Sequence, residues 1–477
     1  MKKSGVLMPI FSLPSPYGIG TVGRGAYEFA DYIKKSGADI WQVLPVGPTG
    51  YGNSPYQSFS SFAGNPYFID PDMLCEDDIL NKDDLPDTVP EGEKIDYGKI
   101  YFSRRKMLRS AYEYSGNRLK SETEEFLLAH PAVGDYAFFM ALKDRFKGKC
   151  YLDFPKCLVR REKSAMEKYR AFLSDEINYY VFEQYLFFSQ WKRMREYVNS
   201  IGIEILGDMP IYVAPDSADV WANPRSFQLD RDRRPSFVAG VPPDYFSEDG
   251  QKWGNPLYDW KYMKNHGYDF FVRRAKAASE LFDSVRLDHF IGFANYYSVA
   301  PDAPDAKNGF WRDGPGKSLF STLEKEVPSL GLVAEDLGIV SEKVIKLLKS
   351  TGYPSMRVIQ FAFGDDKSNM HLPKNARRNT YYYTGTHDNA ATLSWWTSRT
   401  ADEKSRTAEY LGRKRIKAPE TFIKAVLDSR ANVAVIPMWD ILSLGDEGRV
   451  NTPGTSEGNW MWRIKKVPSE PAELRRK

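Results

Sequence analysis

The sequence predicts an α/β protein built on a parallel (β/α)8 TIM barrel. Eight short apolar runs have the length of buried strands, helical patterns lie between several of them, and 477 residues suffice for a large barrel with insertions. The runs are 4–13, 38–47, 203–213, 284–293, 331–338, 355–363, 379–388 and 432–440. An open, doubly wound sheet is the competing architecture, but no Gly-rich phosphate-binding turn follows the first run.

The helical patterns between these runs are amphipathic. Residues 25–37 follow the first run and place an apolar stripe on one face, as expected for a helix packed on a barrel. A similar pattern over 341–352 follows the fifth run, and another over 420–430 precedes the eighth. Alternation of strand and helix is the signature of parallel βαβ units.

The spacing of the runs predicts two inserted segments. About 155 residues separate the second and third runs and about 70 separate the third and fourth, more than one crossover helix requires. Charged helical patterns at 99–114 and 134–146 occupy the first gap, whereas the second is rich in Pro, Gly, Asp and aromatics, the composition of a loop. We therefore predict three parts: a catalytic barrel (1–47, 176–213 and 261–477), a largely helical inserted subdomain after strand 2 (48–175) and an active-site loop insertion after strand 3 (214–260).

Composition excludes several classes of partner. The net charge of +3 gives no general field for nucleic acid or an anionic membrane, and no apolar run reaches the roughly 18 residues of a membrane span. Three cysteines, Cys75, Cys150 and Cys157, argue against a disulfide framework and for a reducing compartment, so we expect a cytoplasmic protein. Two prolines and a serine interrupt the apolar N-terminal run, which argues against a signal peptide.

Four acidic residues stand at or near the ends of predicted strands, where barrel enzymes place their chemistry: Asp208, Asp288, Glu335 and Asp388. Arg286 lies two residues before Asp288 and shares its face of the strand, so we expect the guanidinium to lower the pKa of that carboxyl and keep it ionised. Glu335 has no basic residue within four positions, and burial near other carboxylates would raise its pKa. Paired carboxylates of unequal pKa are typical of glycosidic bond chemistry.

Other interpretations of these residues remain open. An acid after a strand often caps the next helix, and Asp336 rather than Glu335 is the expected cap of its pair. His289 and His387 each neighbour an Asp, but no His-x-x-x-His spacing supports a metal site, so none is predicted. The Gly-x-Ser-x-Gly pattern at 454–458 follows no buried strand, and a surface loop is expected instead of a nucleophile elbow.

At these residues the chain resembles the 4-α-glucanotransferases, also called amylomaltases or disproportionating enzymes, from about residue 4 to 463. The segments that carry the resemblance are 54–70, 207–224, 240–260, 286–293, 334–338, 384–389 and 451–463. The resemblance implies an α-amylase-like barrel that moves α-1,4-glucan segments from a donor to the 4-OH of an acceptor glucan or glucose. It implies a retaining double displacement through a glycosyl-enzyme, without a cofactor, on maltooligosaccharides and glucose.

The resemblance also assigns roles to individual residues. Asp288 would be the nucleophile, Glu335 the general acid/base and Asp388 the third carboxylate, which stabilises the transition state. Arg286 would orient Asp288, Asp208 and His387 would bind the sugar, and Tyr56 and Trp253 would line the glucan groove. Ala390, Ala391 and Trp439 depart from the family pattern and leave the three carboxylates intact. The alternatives are a retaining α-glucan hydrolase with the same residues and an inert glucan-binding protein.

Overall fold

The computed structural model describes residues 2–90, 92, 94–243, 248–338, 340–364 and 366–476, and these contain twelve strands. They are β1 Lys3–Leu7, β2 Ile40–Gln42, β3 Glu204–Met209, β4 Val238–Val241, β5 Gln251–Pro256, β6 Ser284–Leu287, β7 Asn295–Val299, β8 Phe310–Asp313, β9 Gly331–Ala334, β10 Ser355–Val358, β11 Thr380–Tyr383 and β12 Val433–Pro437.

Eight of these strands close a parallel barrel in the order β1-β12-β11-β10-β9-β6-β3-β2. Each of the eight predicted runs overlaps one barrel strand, and only β1 begins outside its run, by one residue, which confirms the predicted fold class. The strands are shorter than the apolar runs because several runs continue into the loops at the carboxyl ends of the strands. All pairings between neighbouring barrel strands are parallel.

The same residues contain eighteen α-helices. They are α1 Arg24–Lys35, α2 Pro71–Glu76, α3 Tyr97–Ser115, α4 Lys120–Ala129, α5 Pro131–Arg145, α6 Lys156–Val159, α7 Lys163–Phe172, α8 Ser174–Ser200, α9 Ala218–Ala222, α10 Trp260–Asn265, α11 Asp269–Leu281, α12 Ile291–Ala294, α13 Lys317–Glu326, α14 Glu342–Thr351, α15 Thr392–Thr397, α16 Ala401–Tyr410, α17 Glu420–Leu427 and α18 Met438–Ile441. None of them, within the described residues, combines the length and apolar character that a membrane crossing requires.

The barrel core forms because its strands are apolar on both faces. Every residue of β2 and β12 is buried, as expected for strands that lie between the barrel interior and a layer of helices. The predicted stripe of α1 is buried at Ala26, Phe29, Ala30 and Ile33. On β3, Gly207 permits a close approach, since a Cβ there would lie 2.3 Å from the ring of Phe282.

The segment between β2 and β3 contains α2 to α8. Helix α8 is 27 residues long, packs along α5 and leads directly into β3. It begins at Ser174, close to residue 175, where the predicted subdomain ends. The division of the chain into a barrel, a subdomain and a loop insertion stays a prediction.

The segment 214–260 is more regular than its loop-like composition predicted. It contributes β4 and β5 to a four-stranded antiparallel sheet of order β5-β4-β7-β8. The other half of this sheet, β7 and β8, follows the fourth barrel strand and was not set apart by the sequence. Short strands in a Gly- and Pro-rich context were not recognised because their partners are distant in sequence. Residues 244–247 of the predicted loop lie outside the described residues.

Candidate active site

The three predicted catalytic carboxylates line one cleft at the carboxyl end of the barrel. Asp288 follows β6 directly, Glu335 follows β9 directly, and Asp388 lies in the loop after β11. The cleft has a volume of about 500 Å³. Its lining includes Tyr56, Gln251, Trp253, Asp288, His289, Glu335, His387, Asp388, Asn451 and Trp460. The barrel thus brings together residues that are up to about 400 positions apart in the chain.

Arg286 is the buried centre of the polar network. It lies on β6, directly opposite Asp208 on the neighbouring strand β3. Its Nε and Nη2 donate to the two oxygens of Asp208 at 3.0 and 2.7 Å, and Nη2 also donates to Asp288 Oδ1 at 2.9 Å. The last contact confirms that Arg286 and Asp288 share a face of the strand.

Asp208 has a different position from the one predicted. Its side chain is 0% exposed, and both oxygens accept hydrogen bonds from Arg286. The hydroxyl of Tyr56 donates to Oδ2 at 2.6 Å as well. Because this carboxylate has no exposed surface for a ligand, the expectation of direct sugar binding does not fit its position. It holds Arg286 and Tyr56 in place.

The pKa of Asp288 was predicted in the wrong direction. Its pKa is raised to about 6, mainly by burial and also by Asp208 and Asp388, and the adjacent Arg286 offsets only part of the rise. The desolvation of a carboxylate can exceed the attraction of one guanidinium that is already shared with another acid. Asp288 nevertheless remains ionised near pH 7, and its side chain is 28% exposed to the cleft.

Glu335 is buried and has the highest pKa of the three acids. Its pKa is raised to about 8, mainly by burial and also by Asp288, although Arg286 from the neighbouring strand acts to lower it. Its two oxygens accept the backbone N–H groups of His289 and Leu337, each at 2.8 Å. His289 adopts a left-handed conformation with φ of 49° at this contact. The raised pKa matches the prediction, and burial is its main cause.

Asp388 differs from the other two acids because hydrogen bonds hold it ionised. Burial acts to raise its pKa, but His387, Asn451 and Arg286 together lower it below the ordinary value. Asn451 Nδ2 donates to Oδ1 at 2.6 Å, and His387 Nε2 lies 3.2 Å from Oδ2. The sequence did not single out Asn451 because it comes from a loop 63 positions further on.

Tyr56 connects the buried network to the cleft. Its hydroxyl donates to Asp208 and accepts from Arg286 Nη2 at 3.1 Å. His387 Nε2 lies 2.8 Å from the same oxygen, and since Asp388 also accepts, Nε2 carries a proton. The ring of Tyr56 stacks on His387 at 5.3 Å and lies 5.9 Å from Trp460, a second residue that the sequence did not single out.

Trp253 lies on the opposite wall of the cleft, on β5 of the antiparallel sheet. Its indole packs edge-on against His289 at 4.9 Å, and Nε1 donates to Gln251 Oε1 at 3.1 Å. Burial lowers the pKa of His289 to about 4, so this imidazole is neutral at pH 7. An indole fixed by both contacts presents a rigid apolar surface to the cleft.

The capping interpretation is excluded for the three carboxylates. Helices α12 and α15 have no side-chain cap, and α14 is capped by Ser341. The expectation that Asp336 is a cap was wrong, because its oxygens accept from Met356 N and Arg357 Nη1 at 2.8 to 3.0 Å. The described residues contain no cluster of three His, Cys, Asp or Glu side chains that could hold a metal ion.

Comparison with known proteins decides the family. A family profile described as 4-alpha-glucanotransferase matches residues 8–468. The chain belongs to the 4-α-glucanotransferase family. A 4-alpha-glucanotransferase of Clostridium butyricum is 44% identical over 96% of this chain and 95% of its own length. The Thermus thermophilus 4-alpha-glucanotransferase is 43% identical over 98% and 95%. The amylomaltase of Streptococcus agalactiae, solved in complex with acarbose, superposes with a TM-score of 0.94 at 39% identity, covering 97% of this chain and 95% of the other.

Proposed function

We propose that this 4-α-glucanotransferase transfers α-1,4-glucan segments to the 4-OH of an acceptor glucan or glucose by a retaining double displacement. The supporting observation is the cleft itself, in which three carboxylates of different pKa meet in a member of this family. One acid is ionised and partly exposed, one is protonated near neutral pH, and the third is fixed in its charged form. This is the set of states that retaining glycosidic chemistry requires.

In the first step, Asp288 attacks the anomeric carbon of the donor and Glu335 protonates the leaving glycosidic oxygen. The bond to the leaving glucan breaks as the bond to the aspartate forms. In the second step, the carboxylate of Glu335 accepts the proton of the acceptor 4-OH, the acceptor oxygen attacks the same carbon, and Asp288 is released. The order of the pKa values, with Glu335 above Asp288, suits these two roles.

The other residues would hold this arrangement. Arg286 donates to Asp288 Oδ1 and so directs the second oxygen towards the substrate. Asp388 and His387 would hold hydroxyls of the reacting sugar and stabilise positive charge that develops on the ring. Tyr56 and Trp253, on opposite walls, would pack against glucose rings of the bound chain.

Transfer rather than hydrolysis depends on what attacks the intermediate. Trp253 and His289 cover one side of the cleft with an apolar surface beside Asp288 and Glu335. An acceptor sugar packed against that surface would displace water from the reacting carbon. The retaining hydrolase is the less favoured alternative, since the profile and the named relatives are transferases.

Maltotriose as the only sugar tests the proposal. Transfer gives a ladder of longer glucans together with glucose, whereas maltose and glucose without longer products would contradict it.

Asp288→Asn should lower the rate by about 10⁴-fold or more while acarbose binding persists, since the substitution removes a nucleophile and preserves shape. Full activity of that variant would refute the assigned nucleophile. Asp336→Asn is a control for a buried strand-end carboxylate outside the cleft lining, and it should retain most of the activity.

A further inference from the structure

Asp440 is a buried carboxylate with three hydrogen bonds and no part in the proposed chemistry. It lies in α18, directly after the last barrel strand, and is 1% exposed. Its Oδ2 accepts the hydroxyls of Thr384 and Thr392 at 2.5 and 2.6 Å, and its Oδ1 accepts the backbone N–H of Thr392 at 2.8 Å. Both threonines are fully buried. Burying a carboxylate costs solvation free energy, and the hydrogen bonds from these three donors offset that cost.

The two threonines are the ends of the loop that carries the third carboxylate. Thr384 follows β11 and Thr392 begins α15, so the segment between them, 385–391, contains His387 and Asp388. The side chain of Asp440 is therefore hydrogen-bonded to both ends of this loop. Inside the loop, Asn389 Oδ1 accepts the N–H and hydroxyl of Thr386 at 2.8 and 2.9 Å, and Gln360 Nε2 donates to Ala390 O at 3.0 Å.

Asp440 also supplies what the loop sequence lacks. Ala391 is the N-cap residue of α15 and has no side chain that could accept a hydrogen bond from the first turn. The carboxylate of Asp440 accepts the N–H of Thr392, the first residue of α15. Ala391 is compatible with this arrangement because the acceptor comes from α18, which follows the neighbouring strand β12. Ala391 itself is fully buried.

We propose that Asp440 is a positioning residue for glucan transfer: by holding both ends of the loop 384–392 it fixes Asp388 and His387 against the reacting sugar. The inference rests on the proposed role of Asp388. Catalytic side chains must keep their geometry to about 0.5 Å, and the hydrogen bonds from Thr384 and Thr392 to Asp440 fix both ends of the loop. Asp440 does not line the cleft and acts only through the residues it holds.

A pair of isosteric threonine variants tests the inference. Thr384→Val removes one donor to Asp440 and keeps the volume of the side chain. Thr380→Val is the matched control: Thr380 is 1% exposed on β11, the strand that Thr384 follows, and its hydroxyl lies 3.5 Å from that of Ser355. We expect Thr384→Val to lower kcat/KM for maltotriose transfer about tenfold and to raise the Kd for acarbose similarly, since hydrogen bonds to carboxylates have that magnitude. Thr380→Val should change both less than about twofold.

A double-variant cycle separates positioning from simple stability. Thr384→Val is combined with Asp388→Asn, and acarbose binding is measured by calorimetry, which needs no turnover. If Asp440 acts through Asp388, the tenfold effect of Thr384→Val should shrink to less than about threefold in the Asp388→Asn background. The same factor in both backgrounds, or wild-type binding by Thr384→Val, would overturn the inference.

Direct replacement of the carboxylate gives a second, independent measurement. Asp440→Asn keeps the shape but offers one acceptor oxygen to three donors, so we expect a loss at least as large as that of Thr384→Val. Wild-type transfer by Asp440→Asn would also overturn the inference. The proposed function fails separately, if Asp388→Asn alone leaves transfer and acarbose binding unchanged.

Discussion

At the residue scale, burial and one shared guanidinium determine the pKa values of two acids in the cleft. Arg286 is adjacent to Asp288 and lowers the pKa of both Asp288 and Glu335, yet both pKa values remain above those of free carboxyls because burial outweighs it. Asp208 accepts from both Nε and Nη2 of this guanidinium, and Asp288 shares Nη2 with it. Glu335 accepts only backbone N–H groups, and these lower its pKa too little to offset its burial.

These values predict a bell-shaped pH profile for kcat/KM of transfer. Below about pH 6, Asp288 becomes protonated and the nucleophile is lost; above about pH 8, Glu335 loses the proton that the leaving oxygen needs. Initial rates with maltotriose from pH 4.5 to 9.5, roughly spanning both limbs, measure the profile.

The control for the alkaline limb is Glu183→Gln in the segment between β2 and β3. Burial raises the pKa of Glu183 to about 8 as well, but it does not line the cleft. Its replacement should leave the alkaline limb where it is, and a shift would show that Glu335 does not cause it.

The three carboxylates that the sequence predicted share one property: each follows the end of a barrel strand. That rule places Asp288, Glu335 and Asp388 in one cleft without knowledge of the loops. Asn451 and Trp460 were missed because no strand precedes them closely, and only the closed barrel brings their loop beside Asp388 and Tyr56. The burial of Asp208 was missed because it depends on the pairing of two strands that are far apart in sequence.

At the element scale, long apolar runs were predicted well and short strands were not. The barrel strands are buried on both faces, and their Val-, Ile- and Leu-rich runs mark them regardless of context. Strands β4, β5 and β8 contain Gly, Pro or charged residues, so their sequences show no comparable apolar run. Their partners in the antiparallel sheet are up to about 60 residues away, and local patterns do not contain that information.

The contribution of helix capping to stability can be tested on α16, because its N-terminus has a complete capping box. Thr400 accepts the N–H of Glu403, and Glu403 accepts the N–H of Thr400 in return. Thr400→Ala should lower the free energy of unfolding by about 1 kcal/mol, measured by urea denaturation, with transfer activity unchanged. Ser405→Ala, at an exposed position in the interior of the same helix, should change it by less than about 0.5 kcal/mol, because no cap is lost there. Equal losses in both variants would contradict the capping explanation.

At the scale of the whole molecule, stability and chemistry belong to opposite ends of the barrel. The carboxyl ends of the strands hold the cleft, while the amino ends are joined by contacts between distant segments. Lys3 N donates to Asn432 O where β1 and β12 begin, and Asp283 accepts the N–H of Ile205 between β3 and β6. This separation explains why the strand pattern predicts the fold and the strand ends predict the chemistry.

Arg476 gives the sharpest test of that separation. Its guanidinium donates to the backbone oxygens of Leu427, Ser429 and Ala431 at 2.7 to 2.8 Å, and so fixes the connection from α17 to β12 at the amino end of the barrel. Arg476→Ala should lower the free energy of unfolding by about 1 to 3 kcal/mol, because several carbonyls lose a charged donor.

Since Arg476 is remote from the cleft, kcat and KM below the unfolding transition should not change. Arg475→Ala, next to it and exposed, is the matched control and should leave the unfolding curve within about 0.5 kcal/mol of the parent. A fall in kcat at full folding would show that the amino end of the barrel is coupled to the catalytic end. The two functions of the barrel would then not be separable.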